Sequence, residues 1–427
     1  MTHFGIICPA TSGHLNTMLP LGKELQKRGH RVTLLGRLDA KPQTLAAGLE
    51  FRAIGESEFP NGAVTESLAK LGQLSGRAAL KYLVNTLKTS ASVLLRDAPA
   101  VIKEAGIEAL LVDQVTPEGG SLADGLGIPF ITICSAVVLN QEENIPPYIT
   151  TWGYNPTWSG RLRNRIGYKL LRSIIKPITE VINQHRQELN LRPHANYNER
   201  YSQLAQISQQ PAELEFPRQN LPPHFHFTGP YHSSTGREVP AFPFDKLNGK
   251  PLIYASLGTI QNRLLAVFKT IAEACNGLDA QLVISLGGSA SPDVLQGLPG
   301  NPLVVGFAPQ LELLQKANLT ITHAGLNTTL ESLNNGVPMV AIPIANDQPG
   351  VSARIAWAGC GEVVPLKRVN VTRLRTAITK VLTEDSYTKN ALRLQEAIQQ
   401  AGGVTRAADI IEQAISTGKP VLAQIRK

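Results

Sequence analysis

Leu319-Thr-Ile-Thr-His-Ala-Gly-Leu-Asn-Thr-Thr-Leu-Glu-Ser-Leu-Asn334 reads as a strand, a turn and a helix in succession. Leu319–Thr322 is the strand, His323-Ala-Gly325 the turn and Leu326–Asn334 the helix. Met339–Ile342 follows as the next strand. Two strands joined by a helix must run parallel, because the crossover returns the chain to the edge it left. The same rhythm extends upstream. Leu252–Ser256, Gln281–Ser285 and Leu303–Val305 are strands, and Leu264–Asn276 is a helix between the first two. Near the N-terminus, Phe4–Cys8 is a strand, Leu15–Arg28 a helix and Arg31–Leu35 a strand, with Gly29-His30 as a turn. Ala109–Val112 and Phe130–Cys134 are short apolar strands around a helix near Gly120–Leu126. The prediction is an α/β protein of two doubly wound Rossmann-like domains that face each other across a cleft.

The chain's 427 residues exceed one comfortable core, which also argues for two domains. Eight prolines between Pro211 and Pro251 interrupt the rhythm and predict a linker over 211–250. The expected division is therefore 1–210, the linker, 251–402, and a last amphipathic segment in 403–427 with a helix at Val404–Ile415. Hydrophobic content of 43% and charged content of 17% exclude a disordered chain. Cys8, Cys134, Cys275 and Cys360 lie far apart without a CxxC or Cys/His cluster, so reduced thiols are expected and a zinc site is not. The first strand begins close to Met1, leaving no room for a signal peptide, and no apolar run reaches membrane-span length. A cytoplasmic protein, soluble or peripheral on the membrane face, is expected.

A formal net charge of +8 calls for an anionic partner or a plain basic surface. No nucleic-acid motif is present. Between Trp158 and Lys176, six Arg and Lys residues mix with Ile166, Tyr168, Leu170, Leu171, Ile174 and Ile175. A helix over 158–176 with that composition suits peripheral contact with an anionic membrane, and equally an ordinary solvated helix with its apolar stripe turned inward.

The chemistry-bearing residues gather where strands end. His323 and the turn to Gly325 stand at a helix start, whose free N–H groups and dipole favour a diphosphate. Glu331 within that helix can accept from ribose hydroxyls, and Asp347-Gln348 after the next strand can bond sugar hydroxyls. Ser256-Leu-Gly-Thr259 ends another strand, where glycine permits close backbone approach to phosphate. In the first half, Ser12-Gly13-His14 follows the first strand, and Asp113 ends the strand Ala109–Val112. Parallel strands release both at one edge, so the two can meet, Asp113 orienting an imidazole that acts as a base. The helix N-terminus is expected to keep His14 neutral.

Phe307-Ala-Pro-Gln310, His323-Ala-Gly-Leu-Asn-Thr328, Glu331 and Asp347-Gln348 in this order resemble the donor-binding signature of the UDP-dependent glycosyltransferases, family 1, with the GT-B fold. The resemblance covers nearly the whole chain. It implies that Thr259, His323, Gly325, Asn327 and Thr328 bind the diphosphate together with Gly13, and that Glu331 binds the ribose. Phe307 stands where many relatives stack an indole on uracil, Gln310 supports the base, and Asp347 and Gln348 hold the hexose. Relative to the plant signature, Leu326 replaces a second Trp, and the interval from Phe307 to His323 is two residues shorter. The resemblance further implies inverting, metal-independent transfer of a hexose, glucose above all, with His14 as base, Asp113 behind it and no cofactor. Absence of any Asp-x-Asp fits that expectation.

Asp113-Gln114, Pro117-Glu-Gly-Gly120 and Leu139-Asn-Gln-Glu-Glu-Asn-Ile-Pro146 resemble the bacterial zeaxanthin glucosyltransferases within that family. A lipophilic hydroxylated acceptor such as this carotenoid is then implied, with a flavonoid, phenolic or sterol acceptor as the alternative. Two other classes fit the sequence less well. A dinucleotide oxidoreductase would carry GxGxxG after the first strand, where this chain has Pro9-Ala-Thr-Ser-Gly13-His14. A non-catalytic UDP-sugar-binding protein would not need both His14 and Asp113.

Overall fold

The computed structural model describes residues 1–427 except 75, 233–238, 260–263, 289 and 424–427. Thirteen strands are described. The first seven are β1 (His3–Ile7), β2 (Arg31–Gly36), β3 (Glu50–Ala53), β4 (Ala109–Asp113), β5 (Phe130–Cys134), β6 (Gln206–Ser208) and β7 (Phe225–Phe227). The rest are β8 (Leu252–Ser256), β9 (Gln281–Ser285), β10 (Leu303–Val305), β11 (Ala317–Thr322), β12 (Met339–Ala341) and β13 (Gly361–Val363). They form two parallel sheets in the orders β3-β2-β1-β4-β5-β6-β7 and β10-β9-β8-β11-β12-β13. Strand order reverses between β1 and β4 in the first and between β8 and β11 in the second. Those are the two crevices where a doubly wound sheet binds ligands.

Both central strands are buried along their whole length, as a sheet covered on two faces requires. The helix Ser12–Lys27 covers one face of the first sheet. Its Gly22 lies so close to Ile6, Leu49 and Val32 that a Cβ would sit 2.8 Å from the first two. The final helix, Gly403–Thr417, buries Ala407, Ala408, Ile411 and Ala414 in the same core as Met18, Leu21 and Leu25. It is fastened there by Arg28, whose Nη1 lies 2.7 Å from both Asp409 and Glu412. All four cysteines are buried and unbridged.

Two expectations shift. Phe225–Phe227, inside the stretch expected to be linker, forms β7 and closes the first sheet against β6. The helix expected over 158–176 runs from Trp158 to Glu188, with Pro177 inside it. Two further helices, Ala63–Gln73 and Gly76–Ala105, occupy a region without an assignment from sequence. Among the described residues, no helix is long and apolar enough to cross a membrane.

The chain passes between the sheets twice, after β7 and before Gly403. The two crossings are neighbours: Gly403 N donates to Thr228 O over 2.6 Å, and Gly229 lies against Ala401 and Ile398. Gly229, Gly402 and Gly403 all have positive φ, which allows these sharp changes of direction.

Candidate active site

β1 leads into the helix Ser12–Lys27, and His14 lies in its first turn. β4 is hydrogen-bonded beside β1, with Val112 opposite Ile7, so Asp113 emerges next to that turn. The His14 Nδ1 lies 2.8 Å from Asp113 Oδ2 and 2.8 Å from Ser135 Oγ. Ser135 Oγ donates to the same Asp113 oxygen over 2.5 Å, and Val115 N donates to Asp113 Oδ1 over 3.1 Å. Asp113 is fully buried, whereas the His14 side chain is 23% exposed. A carboxylate only accepts, so Nδ1 carries the proton and Nε2, across the ring, presents a lone pair. This is the arrangement of an oriented base.

The carboxylates around His14 act against its neutral form. Burial pulls its pKa down, but the charge and hydrogen bond of Asp113, with the charge of Asp347, leave it above the ordinary 6.5. Two carboxylates outweigh the burial that disfavours the imidazolium.

The second sheet supplies the facing wall. Gly258 follows β8 with φ +77, and a Cβ there would lie 2.6 Å from the His323 ring. A Cβ on Gly325 would approach the same ring to 2.5 Å. The imidazole is thus bracketed by two bare backbones, and the turn between is made by Ala324 at φ +63. Burial pushes His323 down to about 4, against a backbone hydrogen bond with Ser256, so the ring is neutral near pH 7. The helix Leu326–Asn334 begins there with no side-chain cap. Its first N–H groups are left for a ligand. Thr259, three residues past β8, is exposed.

Phe307 is 55% exposed, and its ring rests on Gly288, where a Cβ would lie 2.3 Å away. One aromatic face is covered by backbone and the ring is otherwise open, a platform for a base. Gln310 is held by Tyr254 Oη at 3.1 Å, and its amide donates to Glu331 and to Thr328 Oγ1. Glu331 is thereby 2% exposed, with one oxygen engaged by Gln310. Gln348 accepts from the N–H groups of Ile344 and Ala345, both over 2.9 Å, which leaves its amide N–H groups to donate.

Contacts across the cleft bring the two walls together. Asn327 Nδ2 donates to Gly13 O over 2.7 Å, and Gln209 Nε2 donates to Asn327 Oδ1 over 2.8 Å and to Ser135 O over 2.6 Å. Asp347 Oδ2 accepts from Val137 N over 3.1 Å. Burial raises the Asp347 pKa, while the Val137 N–H and His14 act against it. Gly13 offers its carbonyl; a Cβ there would meet nothing within 4 Å among the described residues. Sequence reasoning missed Ser135 and Gln209. Each lies just past a strand, β5 and β6, on the edge that carries Asp113, and that placement was the available signal.

The model of the family described as UDP-glucoronosyl and UDP-glucosyl transferase matches residues 54–401. Zeaxanthin glucosyltransferase of Pantoea ananas is 34% identical over 99% of this chain and 98% of its own length. Its counterpart in Pseudescherichia vulneris is 31% identical over 99% and 100%. Among solved structures, CalG4, the calicheamicin glycosyltransferase, superposes with a TM-score of 0.76 at 20% identity, covering 98% of this chain and all of that one. With the family match covering well over half of the chain and a relative at 34% identity over nearly its full length, this chain belongs to the UDP-glucosyl and UDP-glucuronosyl transferases and is a glycosyltransferase enzyme.

Proposed function

We propose that this enzyme transfers glucose from UDP-glucose to a ring hydroxyl of a carotenoid diol such as zeaxanthin, with inversion and without a metal ion. The observation that carries the chemistry is the buried Asp113 holding His14 by Nδ1, opposite an uncapped helix start in the other sheet. His14 Nε2 takes the proton of the acceptor hydroxyl as its oxygen bonds to the anomeric carbon. The bond from that carbon to the diphosphate breaks, and UDP leaves with the electron pair. Attack opposite the leaving group converts the α-linked donor into a β-glycoside, through a transition state of oxocarbenium character. Charge on the departing diphosphate is met by the N–H groups at Leu326–Thr328, the His323 N–H and Thr259. Phe307 stacks on uracil, Gln310 and Glu331 hold base and ribose, and Asp347 and Gln348 hold the hexose. The names of two relatives, at 34% and 31% identity over nearly full length, support the acceptor. An acceptor of this kind resides in a bilayer, so the enzyme works as a peripheral protein.

The test is UDP release from UDP-glucose with zeaxanthin in liposomes, beside a panel of soluble phenols. Release with zeaxanthin, a β-glucoside product and no effect of EDTA are expected. Turnover confined to phenols would discard the carotenoid, and an EDTA-sensitive rate would discard metal independence. Equal turnover by His14→Ala would remove the assigned base.

A further inference from the structure

The helix Trp158–Glu188 sorts its apolar residues onto two opposite faces. Gly160, Asn164, Tyr168 and Leu171 are buried against the protein. Trp158, Leu162, Ile166 and Leu170 are 78%, 47%, 62% and 62% exposed. At about 100° per residue, these four centre on the side opposite the buried face and form a stripe about 18 Å long. Four large apolar side chains in successive turns, all turned to solvent, are the mark of a surface that meets something apolar. Arg161, Arg165, Lys169 and Arg172 are exposed along one flank of the stripe. No acidic residue occurs from Trp158 through Thr179. Arg165 pairs with Glu143 and Arg172 bonds Gln141, so these two are held in place beside the stripe and not buried under it.

The neighbouring loop fixes where this face sits. Asn164 Nδ2 donates to Glu143 O, and Gly167 packs on Pro147 and Trp152. The same loop touches the second sheet's helix Gln348–Trp357, with Tyr148 against Gly350 and the Tyr154 ring 5.3 Å from that of Trp357. The stripe therefore lies beside the rim where the two halves meet.

We infer that this face is a docking surface for an anionic lipid bilayer: the stripe Trp158/Leu162/Ile166/Leu170 enters the acyl boundary and the basic flank meets the headgroups. It rests on the lipophilic acceptor proposed above and names how the enzyme reaches it. Charge complementarity selects the occupant. A second copy would bring two basic flanks together, and an uncharged lipid would leave the flank without a partner.

The test is co-sedimentation of the full chain with phosphatidylcholine vesicles, with and without phosphatidylglycerol. The wild type is expected to pellet with the anionic vesicles, and less so at about 0.5 M salt. I166E/L170E is expected to lose about tenfold in partitioning at an unchanged melting temperature. R161S/R172S, which leaves the stripe intact, is expected to reduce only the anionic preference. Wild type that stays in solution with both vesicles, or I166E/L170E that pellets as the wild type does, would overturn the inference. So would a lipid-free dimer that I166E/L170E breaks without any change in vesicle binding. Sedimentation needs no turnover, so failure of the proposed reaction is read separately, from UDP release.

Discussion

Asp113 sets the pH at which His14 is available. A base must be neutral, and Asp113 with Asp347 raises the His14 pKa, so the protonated form persists to higher pH than in a free imidazole. Activity is therefore expected to fall as pH drops through that pKa and to level off above it. Asp113→Asn removes the strongest upward influence, so the acidic limb of kcat/KM should move to lower pH while kcat falls roughly 10³–10⁴-fold. A limb that stays put would mean that another group titrates. His14 and Asp113 were legible because each follows a strand of a parallel sheet, and such ends share an edge. Ser135 was not: a lone serine after a strand has no spacing to single it out, and only the β4–β5 pairing puts it on Asp113. That Asp347 acts on His14 was not legible either, because it approaches from the other half.

The loops after β8 and β11 are shaped around one imidazole. Gly258→Ala would force a Cβ into the His323 ring at a residue with φ +77, and flexible yielding is limited because Gly325 closes the other side. A loss of about 1–3 kcal/mol of stability is expected, together with a higher KM for the nucleotide sugar. Melting and UDP-sugar titration check it; an unchanged KM would detach this turn from donor binding. Long strands such as β8 and β9 were readable as apolar runs, and their observed ends match the expected ones. β3, β6, β7 and β13 were not read, since three or four half-patterned residues become a strand only beside a neighbour. Pro177 is a helix-stop signal in sequence, yet the helix runs through it, carried by the burial of Ile178 and Ile182 on its far side.

The two halves are joined by a buried ion pair as well as by the cleft contacts. Arg354 donates to Glu215 Oε1 through Nε at 2.9 Å and Nη2 at 2.6 Å, with both side chains at most 2% exposed. Burial works to raise the Glu215 pKa, and Arg354 and Arg218 overcome it and hold the group below the usual range. Arg354→Ala would leave that carboxylate to Arg218, 3.5 Å away, and is expected to cost about 3 kcal/mol, read as a lower urea midpoint. A drop within experimental error would show that the pair only balances its own desolvation. Two-sheet architecture followed from the strand rhythm, but this pair did not, since 139 positions separate its members.

The neighbouring crossings at Thr228 and Gly403 make the second half an insertion within the first, its ends side by side as an inserted unit requires. During synthesis the order of completion then runs against the order of the sequence. The inserted half has all its strands once residue 363 has emerged. The helix that carries His14, although among the first residues made, keeps part of its apolar surface uncovered until Gly403–Thr417 arrive, so the half that begins first finishes last.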